Sequence, residues 1–265
     1  MSAGSASPGS AGSASGSAGS AFGSAGSASA GTAGAAPGWS AERLGDPDGE
    51  LLVVFIHGGF WRERFTAETI APLAGACAQL GHLVWNLEYP RVGMRGGGWP
   101  GTAIAVTAAV GAAVGEAAGR PVVLVGHSAG GQLALLAAAS HPVSLVVSLA
   151  GVSDLESGAR QRIGEDAVVQ LMGLGPDDDP DLYAAASPLR RLPVGVASVL
   201  IHGEADNRVP IAQSRDYADL ARAAGDRCEL HELPGGDHFE LIDPGGRAWP
   251  IVVAQLEELS RGTGR

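Results

Sequence analysis

A serine lies between glycines in the run Gly126–Gly130, which reads Gly-His-Ser-Ala-Gly. An apolar run at 122–125 that predicts a buried strand precedes it, and an Ala- and Leu-rich stretch at 129–140 that predicts a helix follows it. In this strand–turn–helix context a G-x-S-x-G turn exposes a nucleophilic serine, because the glycines permit a turn too tight for neighbouring Cβ atoms. The alternative is a plain glycine turn with a helix-capping serine. We predict that Ser128 is a nucleophile.

The candidate general base is a histidine in a glycine-rich loop. His238 lies in the run 235–239, Gly-Gly-Asp-His-Phe, directly after a predicted strand. From such a loop an imidazole can reach the serine and take its proton. The other six of the seven histidines lie in less suitable places. Among them, we expect structural roles for His57, His127 and His202.

An acidic side chain that orients the imidazole is expected after the predicted strand at 197–201. Asp206 and Glu204 both lie in the loop that follows, and Asp154 is a weaker alternative. Asp206 is preferred because it shortly precedes a predicted helix start, although a capping role is the alternative there. The order Ser, Asp, His along the chain is one of the known orders of a catalytic triad.

Peptide N–H groups that could bind an oxyanion are expected in two turns. Gly58 and Gly59 follow a strong predicted strand, and Ala129 follows the candidate nucleophile. Losing one such donor typically costs ~10²–10³ in rate. The aromatic residues Phe60 and Trp61 come next along the first turn, and we predict that they line a substrate pocket. Core packing is the alternative for both rings.

Alternating elements must position these residues. The predicted strands are 51–56, 82–87, 122–125, 145–149, 197–201 and 228–233, and the predicted helices are 67–80, 102–118, 129–140, 210–224 and 249–260. This alternation predicts an α/β fold with a mostly parallel sheet and helices on both faces. In such sheets ligands bind at the carboxyl ends of the strands. The interval 152–195 breaks the alternation, and we predict a small lid insertion there.

The composition separates a tail from a folded domain. Residues 1–38 are almost wholly Ser, Ala and Gly without a charged side chain. Such a segment buries too little apolar surface to offset its ordering entropy, so we predict a flexible tail and a domain at 39–265. The tail lacks the basic start and apolar run of a secretory signal.

Several partner classes are disfavoured. The net charge of −11 argues against nucleic acid, and no apolar run reaches the ~18 residues of a membrane span. Cys77 and Cys228 lie in no metal-ligand spacing, so we predict buried thiols. We expect a cytoplasmic enzyme that acts on a small acyl substrate without a cofactor or metal. A homodimer stays open.

Together these motifs resemble the α/β-hydrolase superfamily over about residues 50–260. The H-G-G-x-W form of the run His57–Trp61 is similar to the kynurenine formamidase (arylformamidase) branch and its esterase relatives. The resemblance implies a serine hydrolase with Ser128, Asp206 and His238 as its triad and the amides of the residues Gly58, Gly59 and Ala129 as oxyanion donors.

The resemblance also implies a substrate range. An aryl formamide such as N-formylkynurenine and a short carboxylic ester both fit the same machinery. An acyltransferase is a further alternative within the enzymes. A non-catalytic ligand-binding protein on the same fold is a second class, although such proteins usually lose a triad residue or the oxyanion glycines.

Overall fold

Seven strands form one sheet, in which the first strand along the chain lies at one edge and is followed by the third, second, fourth, fifth, sixth and seventh. The computed structural model describes Met1 and residues 38–263. The strands are β1 (Ser40–Gly45), β2 (Leu52–Ile56), β3 (Leu83–Glu88), β4 (Val122–His127), β5 (Leu145–Leu149), β6 (Ser198–Gly203) and β7 (Cys228–Leu233). Every neighbouring pair is parallel except β1 with β3, which is antiparallel.

Helices cover the sheet. They are α1 (Ala71–Ala78), α2 (Gly101–Ala117), α3 (Ala129–Ala138), α4 (Leu155–Arg160), α5 (Ala167–Met172), α6 (Pro180–Ala186), α7 (Ala212–Ala223) and α8 (Ala248–Thr263). The helix predicted at 67–80 is shorter in the structure, where a 3₁₀ turn at Ala67–Thr69 precedes α1. Pro72 fits this start, because the N–H that proline lacks would have no intrahelical partner in the first turn of a helix.

The central strands are apolar along their whole length because both of their faces are covered. All five residues of β2 and all six of β4 are buried. Side chains of β2 alternate between two core clusters, with Leu52 and Val54 in one and Val53 and Phe55 in the other. This is the burial that a parallel sheet requires. The predicted fold, a mostly parallel sheet flanked by helices, is confirmed.

The strand β1 was missing from the sequence prediction. Its residues are mostly exposed and show no apolar alternation, so hydrophobic patterning could not identify it. Side chains in the strand and directly before it fix it at the edge of the sheet. Trp39 stacks on Trp85 of β3 at 5.8 Å, and the Arg43 guanidinium lies over the same indole at 4.3 Å. Arg43 also pairs with Glu116 of α2 at 3.0 Å.

The segment between β5 and β6 contains three short helices, α4, α5 and α6, in the interval for which a lid was predicted. The chain divides into Met1–Ala36 and Pro37–Arg265. Apart from Met1 and Gly38, the predicted flexible tail at 1–38 lies outside the described residues.

Both cysteines are buried, as predicted. Burial raises the pKa of the Cys77 thiol to about 12. A thiol with so high a pKa carries almost no thiolate at neutral pH and is therefore unreactive.

The core makes a matched test possible with one substitution at two sites. Leu124 in β4 is 0% exposed, so Leu124→Ala should lower the free energy of unfolding by about 3 kcal/mol, through lost burial and a cavity. Leu220 in α7 is 48% exposed, so Leu220→Ala should cost about 0.5 kcal/mol or less. Urea denaturation measures both. Equal losses would contradict the assignment of β4 to the centre of the sheet.

Candidate active site

The backbone at Ser128 is strained. It has φ 54° and ψ −117° at the junction of β4 and α3. Its N–H donates to the Leu149 carbonyl of β5 at 2.8 Å, and the residue is 2% exposed. A non-glycine residue in such a conformation costs about 1–3 kcal/mol and persists only where its surroundings enforce it. This is the geometry expected of the predicted nucleophile turn.

Glycines allow this turn because backbone fills the space that their Cβ atoms would occupy. A Cβ on Gly126 would lie 2.3 Å from the Gly130 carbonyl oxygen, and a Cβ on Gly130 would lie 2.0 Å from the Ile56 carbonyl oxygen. Both distances are far shorter than any non-bonded approach of a Cβ atom to an oxygen. The α3 helix can therefore begin against the ends of β2 and β4 only with glycine at these positions.

The predicted acid, Asp206, and the predicted base, His238, form a hydrogen bond. His238 Nδ1 donates to Asp206 Oδ2 at 2.6 Å, and their side chains are 4% and 1% exposed. The N–H groups of Arg208 and Val209 donate to Asp206 Oδ1 at 2.8 and 2.9 Å. This arrangement fixes the ring orientation, because Nδ1–H is held by the carboxylate and Nε2 is left as the acceptor.

The two alternative acids lie elsewhere. Glu204 is exposed, and Asp154 caps α4 by accepting from the Ser157 N–H at 3.2 Å. Of the three acids considered from the sequence, only Asp206 contacts His238.

His202 is a second imidazole on the same carboxylate. It is 0% exposed, and its Nε2 donates to the Val209 carbonyl at 3.0 Å and lies 3.3 Å from Asp206 Oδ2. Its Nδ1 accepts from Ser214 Oγ at 2.7 Å, which leaves the proton on Nε2. Burial acts to raise the pKa of Asp206, but hydrogen bonds from His202 and His238 override it and hold that pKa far below its ordinary value.

His127 connects the histidine loop to the serine turn. Its Nε2 donates to the His238 carbonyl at 3.1 Å, and the two rings lie 4.5 Å apart. His238 is 3% exposed, and its ring contacts His127, the residue before Ser128. Within the described residues Ser128 Oγ makes no hydrogen bond. A hydrogen bond between a nucleophilic serine and its general base is often long in unliganded enzymes and shortens when substrate binds.

The predicted oxyanion turn lies against the serine. A Cβ on Gly58 would be 3.0 Å from Ser128 Cβ, so the two backbones are in close contact. Gly59 has φ +106°. Within the described part of the chain, no hydrogen bond occupies the N–H of Gly58, Gly59 or Ala129. These donors are therefore available to a substrate oxygen.

A buried polar cluster braces this turn from behind. His57 Nδ1 donates to the Gly58 carbonyl at 2.7 Å, and the Tyr89 hydroxyl donates to the His57 carbonyl at 2.7 Å. Glu88 lies 3.2 Å from His57 Nε2 and forms an ion pair with Arg91. The structural role predicted for His57 agrees with these contacts. No sequence pattern pointed to Glu88, Tyr89 or Arg91.

Trp61 does not line a pocket. It is 0% exposed, belongs to the core, and donates through Nε1 to Gln132 Oε1 of α3 at 3.1 Å. The prediction of a pocket role for this ring is therefore corrected to the core alternative. The neighbouring Phe60 is half-buried and packs on Gly164, where an added Cβ would lie 2.2 Å from the ring. The segment between β5 and β6 therefore packs against Phe60.

Neither a metal site nor a membrane-spanning helix is found among the described residues. No group of three or more His, Cys, Asp or Glu side chains is arranged to hold a metal ion there. No helix in those residues is both long enough and apolar enough to cross a membrane.

Residues 104–248 match the prolyl oligopeptidase family, and they include Ser128, Asp206 and His238. The match covers more than half of the chain. The chain belongs to the prolyl oligopeptidase family. No curated protein sequence matches it significantly.

Solved structures with the same fold include several esterases. This prolyl oligopeptidase family member is similar to a bifunctional GH43-CE protein of Bacteroides eggerthii, with a TM-score of 0.70 and 20% identity over 85% of this chain and 36% of that one. It therefore spans about a third of that protein. It is also similar to a truncated carbohydrate esterase from gut microbiota, with a TM-score of 0.67 and 21% identity over 80% and 87% of the two chains.

A third similar structure is esterase 2 of Thermogutta terrifontis with propionate bound. Its TM-score is 0.65, and the two chains are 21% identical over 85% of this chain and 90% of that one. These likenesses show the α/β-hydrolase fold. With the family assignment, they support a serine hydrolase. The formamidase resemblance stays a prediction.

His127 gives the site a pH-dependent stability. Burial and the nearby His238 lower the pKa of His127 to about 3. The unfolded chain binds a proton there below about pH 6.5, whereas the folded protein does not until near pH 3. The unfolded state thus binds more protons in this interval, and stability falls as the pH drops through it.

His127→Gln, which can keep the donor to the His238 carbonyl, should remove this effect. Between pH 7 and pH 5, its free energy of unfolding relative to the wild type should shift by about 2 kcal/mol in favour of the variant. Urea denaturation across pH 5 to 9 measures the difference, which should be constant above pH 7.5. A constant difference over the whole range would refute the explanation.

Proposed function

We propose that the protein is a serine hydrolase that cleaves short acyl esters through Ser128, His238 and Asp206. The hydrogen bond of 2.6 Å between His238 Nδ1 and Asp206 Oδ2, beside the strained serine turn, carries this proposal. A helix cap at Ser128 would need neither a buried imidazole nor a carboxylate behind it. The N–H groups of the two glycines in the neighbouring turn supply the remaining chemistry.

The reaction proceeds in two steps. Ser128 Oγ attacks the acyl carbon while His238 Nε2 takes the hydroxyl proton, and the oxygen that becomes negative accepts from the amides of Gly58, Gly59 and Ala129. The imidazolium then donates its proton to the leaving alcohol, and an acyl-enzyme forms. Water attacks the acyl-enzyme by the same route, with His238 as base, and releases the acid.

Asp206 keeps its charge throughout this cycle. Its pKa is held far below the ordinary value, so the carboxylate stays ionised at neutral and mildly acidic pH. A fixed anion next to Nδ1–H stabilises the imidazolium that forms in each step. Protonation of Asp206 is therefore not expected to limit the rate at mildly acidic pH.

Esters are the preferred substrates for two reasons. Two of the three similar structures are described as esterases, and one of them, esterase 2 of Thermogutta terrifontis, was solved with propionate and with butyrate. The formamide alternative rested on Trp61 and on a small acyl pocket, and Trp61 is buried in the core. The family match adds a proline-containing peptide as a second candidate substrate.

The nucleophile can be tested with a matched pair of serine variants. Ser128→Ala should lower kcat/KM for p-nitrophenyl acetate by at least about 10³-fold, because the acyl-enzyme can no longer form. It should also abolish labelling by a fluorophosphonate probe. Ser140→Ala, at an exposed serine just after α3, should change neither. Unchanged turnover in Ser128→Ala would overturn the proposal, and an unlabelled wild type would favour a non-catalytic binding protein.

A substrate panel tests the ester assignment. We expect kcat/KM to be highest for acetyl, propionyl and butyryl esters of p-nitrophenol. N-formylkynurenine and a proline p-nitroanilide should be poorer substrates by about tenfold or more, which corresponds to roughly 1.4 kcal/mol in transition-state binding. A preference for N-formylkynurenine would restore the formamidase alternative. A preference for the anilide would indicate a peptidase.

A further inference from the structure

The turn that carries the proposed oxyanion glycines is held by the lid segment. Arg62 closes this turn by donating its N–H to the Gly59 carbonyl at 3.0 Å. The two residues between them, Phe60 and Trp61, have φ values of 56° and 55°. Positive φ at both central positions of a turn normally calls for glycine or asparagine, so side chains elsewhere must enforce this backbone.

The side chain of Arg62 reaches across to the lid. Its Nη2 donates to the carbonyls of Gly164 and Glu165 at 2.6 and 3.0 Å, and its Nε donates to Gln170 Oε1 at 3.0 Å. A guanidinium suits this role, since it presents several donors in a fixed plane. Phe60 packs on Gly164 beside these contacts.

The part of the lid that accepts these bonds is itself strained. Four of the five residues from 162 to 166 have positive φ, and three of them, Arg162, Glu165 and Asp166, are not glycine. Arg162 pairs with Asp166 through two hydrogen bonds of 2.8 and 2.6 Å. This backbone turns the carbonyls of Gly164 and Glu165 toward Arg62. The turn at residues 59–62 and the segment at residues 162–166, both with unfavourable backbone conformations, are thus joined by the hydrogen bonds of Arg62.

We propose that Arg62 is a positioning residue that makes the oxyanion turn depend on the docked lid. The inference rests on the proposed function, because it assumes that the amides of Gly58 and Gly59 bind the oxyanion. When Arg62 and Phe60 are seated on residues 164–165, the turn presents these amides to the substrate oxygen. When the lid segment leaves, the left-handed backbone at Phe60 loses its support and the amides leave their alignment.

Substitutions at both partners test this coupling. Arg62→Ala should lower kcat for p-nitrophenyl acetate by about 10- to 100-fold with KM changed by less than about twofold, since misplaced donors weaken the transition state more than the ground state. Gly164→Ala places a methyl group where the Phe60 ring packs on the lid segment, and it should likewise lower kcat with little change in KM. Arg62→Lys retains one donor and should recover part of kcat.

Two exposed arginines serve as matched controls. Arg160 in α4 pairs with Glu156 and Asp177 and, within the described residues, forms no hydrogen bond with the turn. Arg64 lies two residues beyond Arg62, with its guanidinium over Phe65. Arg160→Ala and Arg64→Ala should keep kcat within about twofold. If either lost as much activity as Arg62→Ala, the coupling would be refuted.

A substrate-independent readout separates positioning from general damage. Fluorophosphonate labelling of Ser128 forms the Oγ–P bond and expels fluoride, while His238 takes the serine proton and the oxyanion turn binds the phosphoryl oxygen. The labelling rate constant should fall about 10-fold or more in Arg62→Ala, and its apparent pKa should stay at the wild-type value because the triad is intact. Urea denaturation at the assay temperature checks that the variants are folded.

The outcomes distinguish the two proposals. If the wild type is not labelled at Ser128, the proposed function fails and the inference fails with it. If the wild type is labelled and Arg62→Ala reacts as fast, only the inference is wrong. A shifted apparent pKa in folded Arg62→Ala would also contradict it, since that result would place the damage at His238.

Discussion

Close approach of backbone to backbone at the serine turn is the constraint on which the site depends. The α3 helix begins where β2 and β4 end, and it can do so because Gly126 and Gly130 lack side chains. This contact forces Ser128 into its unusual conformation and leaves the N–H of Ala129 unpaired among the described residues. Burial of the central strands, which are apolar on both faces, offsets the conformational free energy that this backbone costs.

Four N–H groups of the site surround one carboxylate, that of Asp206. Asp206 receives two backbone donors on one oxygen and two imidazoles on the other, so it stays charged without contact with solvent. His202 and Ser214 form a layer behind it in which each proton has a defined place. The acid is thereby fixed in both charge and position, and the imidazole it holds has one productive orientation.

The fold, and the side chains proposed as a triad, could be identified from the sequence because each has a local signature. Continuous apolar runs identified the parallel strands, and glycines beside Ser128 and His238 marked strand ends that need tight turns. Other features have no such signature. The strand β1 is polar and depends on a distant tryptophan, and Trp61 looked like a pocket residue until Gln132, far along the chain, proved to be its partner. The contacts of Arg62 with residues 164–165 are equally non-local, and a periodicity argument cannot find them.

The two outer strands of the sheet differ from its centre. Among the described strands β7 pairs only with β6, and it carries the half-buried acids Glu229 and Glu232, the latter bound to Arg215 of α7 at 2.6 Å. At the opposite edge β1 exposes Glu42 and pairs Arg43 with α2. Another chain that tried to extend the sheet would have to strip water from these ions. Charge at both margins thus gives the molecule a built-in resistance to strand-to-strand aggregation.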